Sequence, residues 1–229
     1  CLVGSEMCIR DSLYSNGRDK AVTWMNSQAY GRPIIPRSGY IVEFNALYYN
    51  AKKFYQQMLV DSDQPMHHVV AESIEEECKL FETNFRSTFL NEHGYLFDYV
   101  DGQACDWSVR PNQLLAIALD FSPLTLKERK GVLEICTREL KTPKGIRSLS
   151  PKSGGYTPYY VGHQQQRDYA YHQGTAWPWL TGFYLEAYLR VYKMSGVNYI
   201  ERQLIGFEEE LFYHCVGTIP ELFDGNPPV

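Results

Sequence analysis

Apolar residues recur at three- and four-residue spacings along most of this chain. Short loops and long, aromatic-rich ones alternate between the stretches with that pattern. In VEFNALYYNAKKFYQQML (42–59), Phe44, Leu47, Tyr48, Phe54 and Met58 follow the spacing, which predicts a helix with one apolar face. VVAESIEEECKLFETNFRSTFL (69–90) repeats it through Ile74, Cys78, Phe81 and Phe85, with Glu75, Glu76 and Glu77 on a solvated face. Pro111 is placed for a first helical turn and opens NQLLAIALDF, apolar enough to be buried on most sides. TLKERKGVLEICTREL (125–140), AWPWLTGFYLEAYLRVYKMSG (176–196) and NYIERQLIGFEEELFYHCV (198–216) supply further helices. No strand pattern competes in strength, so the expected fold is all-α, built from helical hairpins.

The chain has 229 residues, 44% apolar and 21% charged, which fits one globular core. A net charge of -5 without a basic cluster argues against nucleic acid as partner, because phosphate recognition needs a basic face. No stretch approaches the roughly 20 apolar residues of a membrane helix, so no membrane partner is expected and the protein reads as soluble and cytoplasmic. The six cysteines are scattered, with neither metal-ligand nor disulfide-framework spacing, and read as reduced packing residues with no metal site.

Tyrosine is unusually frequent, at 18 residues, and many aromatics lie in loops. The segment 141–175 has no helical period yet is rich in tyrosine, which marks it as a functional surface. Helical hairpins whose long loops gather at one end would bring together Trp24, then Glu43 and Asn45, then Asp106 and Trp107, then Asp168 to Trp179, and finally Glu221. Aromatic faces cover the C–H surface of a sugar while carboxylates and amides satisfy its hydroxyls, so carbohydrate is the leading ligand class.

Four motifs then occur in order: RPIIPRSGYIVEFNALYYN, CDWSVRPNQLLAIAL, YHQGTAWPWLTGFYLEA and GTIPELFDGNPP. Together they resemble the amylo-α-1,6-glucosidase domain of prokaryotic-type glycogen debranching enzymes, from about Thr23 onward. The resemblance implies an (α/α)6 toroid, the six-hairpin glycosidase barrel, only partly covered by this chain. It implies inverting hydrolysis of α-1,6-linked glucose at branch points of glycogen or limit dextrin, with no cofactor. It places the general acid on Asp106 and the general base on Glu221, and it makes Trp24, Glu43, Asn45, Trp107, Arg110, His172, Gln173, Gly174, Thr175, Trp177 and Trp179 candidate sugar contacts. Such a pair suits glycoside cleavage, where an acid protonates the leaving oxygen and a carboxylate activates water from the opposite face. Trp107 beside Asp106 would help keep the acid protonated by partial desolvation.

Each assignment has a plainer competitor. Asp106 could simply bond backbone N–H groups ahead of Pro111, with Asp98, Asp101 or Asp168 as the acid instead. Glu221 could be a turn carboxylate, with Asp224 as base. Of Trp177 and Trp179, one is expected to pack in the core and one to meet sugar, and Arg110 either orients Asp106, binds a hydroxyl or braces its loop. Asn26 and Tyr48 depart from the family pattern, which often has Asp and Trp there. Residues 1–12 read as a non-native leader and 13–229 as a domain truncated at both ends, so the fragment alone is expected to be inactive. Alternative readings are a glucoamylase- or trehalase-like inverting hydrolase and a non-catalytic glucan-binding helical module.

Overall fold

A computed structural model describes residues 12–213 and 216–226. The expected leader, apart from Ser12, falls outside them, as do Cys1, Cys8 and Cys215. Helix α1 (Val42–Val60) and α2 (Pro65–Phe89) form the first hairpin, with Pro65 starting α2, where its missing N–H costs nothing. Ala71, Cys78, Phe81, Phe85 and Phe89 turn one stripe of α2 inward, and Phe81 stacks on Tyr49 of α1 at 5.5 Å. A 3-10 turn, Pro111–Leu114, leads into the short α3 (Leu115–Ala118), and α4 (Leu126–Glu139) follows. Thr125 and Glu128 close a capping box at the start of α4, each side chain bonding the other's backbone N–H. The apolar α6 (Trp179–Tyr192) packs on both α3 and α4.

The expected helices are present with two corrections of extent and one of content. The third is short, because the chain turns extended at Leu119 ahead of Pro123. The last is broken into α7 (Val197–Ile205) and α8 (Glu210–Tyr213), because Gly206 follows α7 and Phe207 is drawn into the interior. The segment 141–175 holds the helix α5 (Gln164–Ala170). Its sequence lacks apolar periodicity because local polar bonds support it: Arg167 reaches the Gly162 carbonyl at 2.7 Å and Gln164 reaches Asp168 at 2.7 Å.

The expectation of an all-α chain needs a larger correction. Short strands stitch the interhelical loops together: β1 (Tyr14–Ser15), β2 (Gln28–Ala29), β3 (Arg32–Pro33), β4 (Gly39–Ile41), β5 (Tyr99–Asp101), β6 (Ala104–Cys105), β7 (Lys141–Thr142), β8 (Gly145–Arg147) and β9 (Ala176–Trp177). They form an antiparallel sheet in the order β1-β4-β5-β6, the β2-β3 hairpin and the sheet β7-β8-β9. Two or three residues are too few to leave an alternating pattern in the sequence. Gly39 is required at the closest of these approaches. It has φ +96, and a Cβ there would lie 2.2 Å from the Val100 carbonyl oxygen. These pairings lie beside the N-terminal ends of α1, the Pro111 turn and α6, which places the long loops at one end of the helices.

An ion cluster underlies that end. Arg37, only 1% exposed, binds the Glu43 carboxylate with both terminal nitrogens and donates Nε to Asp98 Oδ2 at 2.7 Å. Asn112 donates to Asp98 Oδ1 at 2.7 Å, so the loop before β4, the first turn of α1, the loop after α2 and the Pro111 turn share one knot. Cys78 and Cys136 are free and buried, in keeping with packing roles, and burial pushes both thiols up. No helix among the described residues is long and apolar enough to cross a membrane.

Removing Arg37 leaves two buried carboxylates without their shared cation. Arg37→Ala is expected to destabilise the protein by about 3–5 kcal/mol, read from the midpoint of urea unfolding. A loss below about 1 kcal/mol would mean that the carboxylates are hydrated in the folded state.

Candidate active site

Asp106 leaves β6 on extended backbone. Its N–H bonds the Tyr99 carbonyl at 3.0 Å, and its own carbonyl accepts from Asp98 N–H at 3.0 Å, so the main chain is locked into the sheet edge. The half-buried side chain accepts the Ser108 N–H on Oδ1 at 2.9 Å. Asp106 therefore has the backbone-bonding role anticipated as its plainer reading, while no described residue bonds Oδ2. The Trp107 indole meets Phe97 edge-on at 4.7 Å and His93 at 5.8 Å, because successive side chains on extended backbone point to opposite sides.

Arg110 braces this loop. Its buried guanidinium donates to the carbonyls of Ser148 (3.1 Å) and His172 (3.0 Å) and to Gln173 Oε1 (2.8 Å), while Nε lies 4.0 Å from Asp98 Oδ2. Burial lowers its pKa, against the pull of Asp98 and Asp106. The segment 172–175 is thus tied to the Asp106 loop by one cation.

Glu221 arrives from the far end of the chain. Its loop pairs with β9, where Ala176 and Phe223 exchange two backbone bonds of 2.8 Å. Arg147 Nε donates to the Gly225 carbonyl at 2.7 Å, and Tyr156 OH donates to Asn226 at 2.8 Å. The exposed Glu221 carboxylate accepts the Tyr171 hydroxyl at 2.8 Å. Burial first, and then Glu221 itself, push the Tyr171 phenol up to about 12, so it remains a donor. Pro178, Trp179, Ile219 and Pro220 form the remaining wall around Glu221.

An aromatic cluster joins the two loops. Trp24 meets His172, Trp177 and Trp179 edge-on at 5.1, 5.4 and 5.2 Å, and its Nε1 donates to Asn112 Oδ1 at 2.7 Å. Trp177 is 5% exposed, with Nε1 donating to Thr175 Oγ1 and the Tyr171 carbonyl, whereas Trp179 is 44% exposed. One tryptophan is core and the other open. Gly174 (φ +141) passes so close to Tyr156 that a Cβ would lie 2.7 Å from that ring.

Several sequence-nominated residues face inward. Glu43 is engaged by Arg37, while Asn45 bonds the backbone of Leu13 and Ile41. Thr175 Oγ1 bonds the Tyr171 carbonyl, and His172 Nδ1 meets Ser27 Oγ at 3.1 Å. These groups shape the site from behind. Trp107 and Trp179, expected in one groove, border separate depressions, the former with His93 and Tyr95 and the latter with Glu221. The competing carboxylates are engaged elsewhere: Asp98 in the Arg37 knot, Asp101 with Arg18 and Tyr14, Asp168 with Gln164, and Asp224 with the Tyr160 N–H. Sequence reading included Tyr171 in the nominated stretch Asp168 to Trp179 but gave it no role of its own.

Comparison with known proteins agrees with this architecture. A family model described as amylo-alpha-1,6-glucosidase matches residues 5–229. Glycogen debranching enzyme of Saccharomyces cerevisiae is 27% identical over 207 residues, covering 72% of this chain and 13% of the relative. Among solved structures, neutral trehalase of Saccharomyces cerevisiae superposes with a TM-score of 0.65 at 15% identity, covering 89% of this chain and 37% of that one. The chain thus shares the mainly helical fold of a known glycosidase. It belongs to the amylo-alpha-1,6-glucosidase family.

His172 gives the site a pH signature. Burial and then the nearby Arg110 cation push its pKa down to about 3, so the folded protein keeps it neutral. An unfolded histidine takes up a proton below about pH 6.5, so His172 disfavours folding progressively as pH falls from there toward 3. His172 alone is expected to contribute a fall in unfolding free energy with a slope approaching about 1.4 kcal/mol per pH unit between pH 6 and 5. Urea titrations of His172→Gln should show a shallower slope over that interval.

Proposed function

We propose that this chain carries the acid-base pair of an inverting glycoside hydrolase that removes α-1,6-linked glucose from branch points of glycogen or a related α-glucan. The observation that carries the reading is the setting of Glu221: an exposed carboxylate held on one oxygen by a protonated tyrosine, beside an open tryptophan face. Such a group can accept a proton from water while a sugar ring lies against Trp179. Family membership is what supports the choice of linkage. The chain spans 13% of the curated relative's length, so the activity is proposed for the protein that contains this segment.

In this mechanism Asp106 protonates the glycosidic oxygen as the bond to the anomeric carbon lengthens. Glu221 takes a proton from water attacking the opposite face, and glucose leaves with inverted configuration. Asp106 Oδ2 is the oxygen available to carry the acid proton, since Oδ1 is occupied by the Ser108 N–H. Tyr171 orients Glu221, and Arg110 keeps the 172–175 segment in register with the Asp106 loop.

The decisive assay is glucose release from a branched limit dextrin, followed by NMR of the first-formed anomer. Initial β-glucose is expected; initial α-glucose would exclude inversion, and cleavage of trehalose in preference to dextrin would move the protein to a different substrate class. Asp106→Asn and Glu221→Gln are each expected to lower kcat by about 10²- to 10⁴-fold with little change in glucan affinity. Azide should restore turnover only in Glu221→Gln, because the anion needs no base. Near-normal turnover in Asp106→Asn would remove Asp106 from its role. Tyr171→Phe keeps the ring and loses the bond to Glu221, so kcat should fall about tenfold at nearly constant KM.

A further inference from the structure

The depression bordered by Trp107 shares no lining residue with the one beside Glu221 and is built on different chemistry. It holds about 500 Å³, within the roughly 300–1,000 Å³ of small-molecule sites. Trp107 is 47% exposed, and Phe97 and His93 approach its indole at 85° and 60°, so neither stacks on the ring. Its backbone is held in place, because Tyr95 OH donates to the Trp107 carbonyl at 3.0 Å. The groove therefore has one flat aromatic surface that no ring of the protein covers.

Arg138, Glu139 and Lys152 line the same groove. Glu139 lies in the last turn of α4, where the helix dipole disfavours a carboxylate, and it is 6% exposed. Its Oε1 accepts Lys152 Nζ at 2.7 Å and Arg138 Nε at 3.0 Å, while Oε2 accepts Ser150 Oγ at 3.1 Å. Burial would raise its pKa, but these donors outweigh burial and hold it below the ordinary carboxylate value, so Glu139 stays ionised. Both its oxygens are occupied, and what it does is hold two cations side by side. The cations are not used up. Both are largely exposed, the Lys152 ammonium has two further N–H groups, and no described residue bonds the terminal nitrogens of Arg138. Two cations against one carboxylate leave the groove with a positive surplus.

We propose that this groove binds a free nucleoside monophosphate, with its base stacked on the Trp107 indole and its phosphate held by the Arg138 terminal nitrogens and the Lys152 ammonium. A guanidinium fork and an ammonium with unused donors match the several acceptor oxygens and double charge of a phosphate monoester. The open indole asks for a flat π-face, which a base supplies and inorganic phosphate does not. A neutral ligand would leave the positive surplus without a counter-charge. A polynucleotide is disfavoured by the net charge of -5, whereas a mononucleotide needs only the two local cations.

The test is titration calorimetry of the full-length protein containing this segment with adenosine 5′-monophosphate, adenosine, glucose 6-phosphate and inorganic phosphate. Saturable binding of the nucleotide is expected, with each of the other three at least about tenfold weaker. Trp107→Ala and Lys152→Ala are each expected to weaken nucleotide binding about tenfold, the first by removing the stacking surface and the second by removing a phosphate donor. If Trp107→Ala fails to fold, Lys152→Ala decides alone, since its side chain is exposed and Glu139 keeps Arg138 and Ser150 as donors. Absence of nucleotide binding overturns the proposal, as does a loss below about threefold in either folded variant. Adenosine binding as well as the nucleotide would show the cations idle, and inorganic phosphate or glucose 6-phosphate binding as well would show the indole idle; either result also overturns it. Glucan hydrolysis is not part of the readout, so the groove and the catalytic reading stand or fall separately.

Discussion

A single buried guanidinium holds together the end of this protein where the long loops gather. Burial alone would lower the pKa of Arg37, but Asp98 and Glu43 outweigh it and hold the group above its ordinary value. The cation is therefore permanent, and its partners Glu43 and Asp98 lie far apart in sequence. Asp98 passes the constraint to Asn112, and Asn112 fixes the Trp24 indole. Trp24 in turn contacts His172, Trp177 and Trp179. The ion knot and the aromatic cluster are one construction, in which charge sets position and ring edges transmit it. Such knots are costly to assemble and severe to break, which suits a region whose value lies in geometry more than in stability.

The long helices were legible because burial on one face leaves a periodic trace. Phe81, Phe85 and Phe89 of α2 record that trace directly. The short strands were invisible because two paired residues need only extended backbone and a partner, and the partner is distant: Tyr40 pairs with Val100. The same holds for α5, whose stability comes from polar bonds among Gly162, Gln164, Arg167 and Asp168. The break at Gly206 carried a signal, a glycine inside a helical pattern, that amphipathicity on both sides obscured.

At the candidate site, motif order nominated loops but did not show which of their side chains turn inward. Glu43 and Asn45 have the side-chain chemistry of sugar ligands, yet their inward direction follows from Arg37 and from the Leu13 backbone, which no local pattern encodes. The pairing of Tyr171 with Glu221 went unforeseen for the converse reason. One tyrosine among 18 carries no signal until a carboxylate fifty residues later is placed against it.

The docking of the Glu221 loop has a consequence for how this protein comes to be folded. Its side-chain ties reach back 50 residues from Glu221 to Tyr171, 64 from Asp224 to Tyr160, 70 from Asn226 to Tyr156 and 78 from Gly225 to Arg147. Contacts of such sequence separation close large loops and form only after the surfaces they bridge already exist. Helical hairpins can assemble locally and early, while the loop bearing Glu221 has no template until the 156–176 segment has settled. Docking of the Glu221 loop is thus a late event in the life of the chain, reached after most of its helical structure is in place.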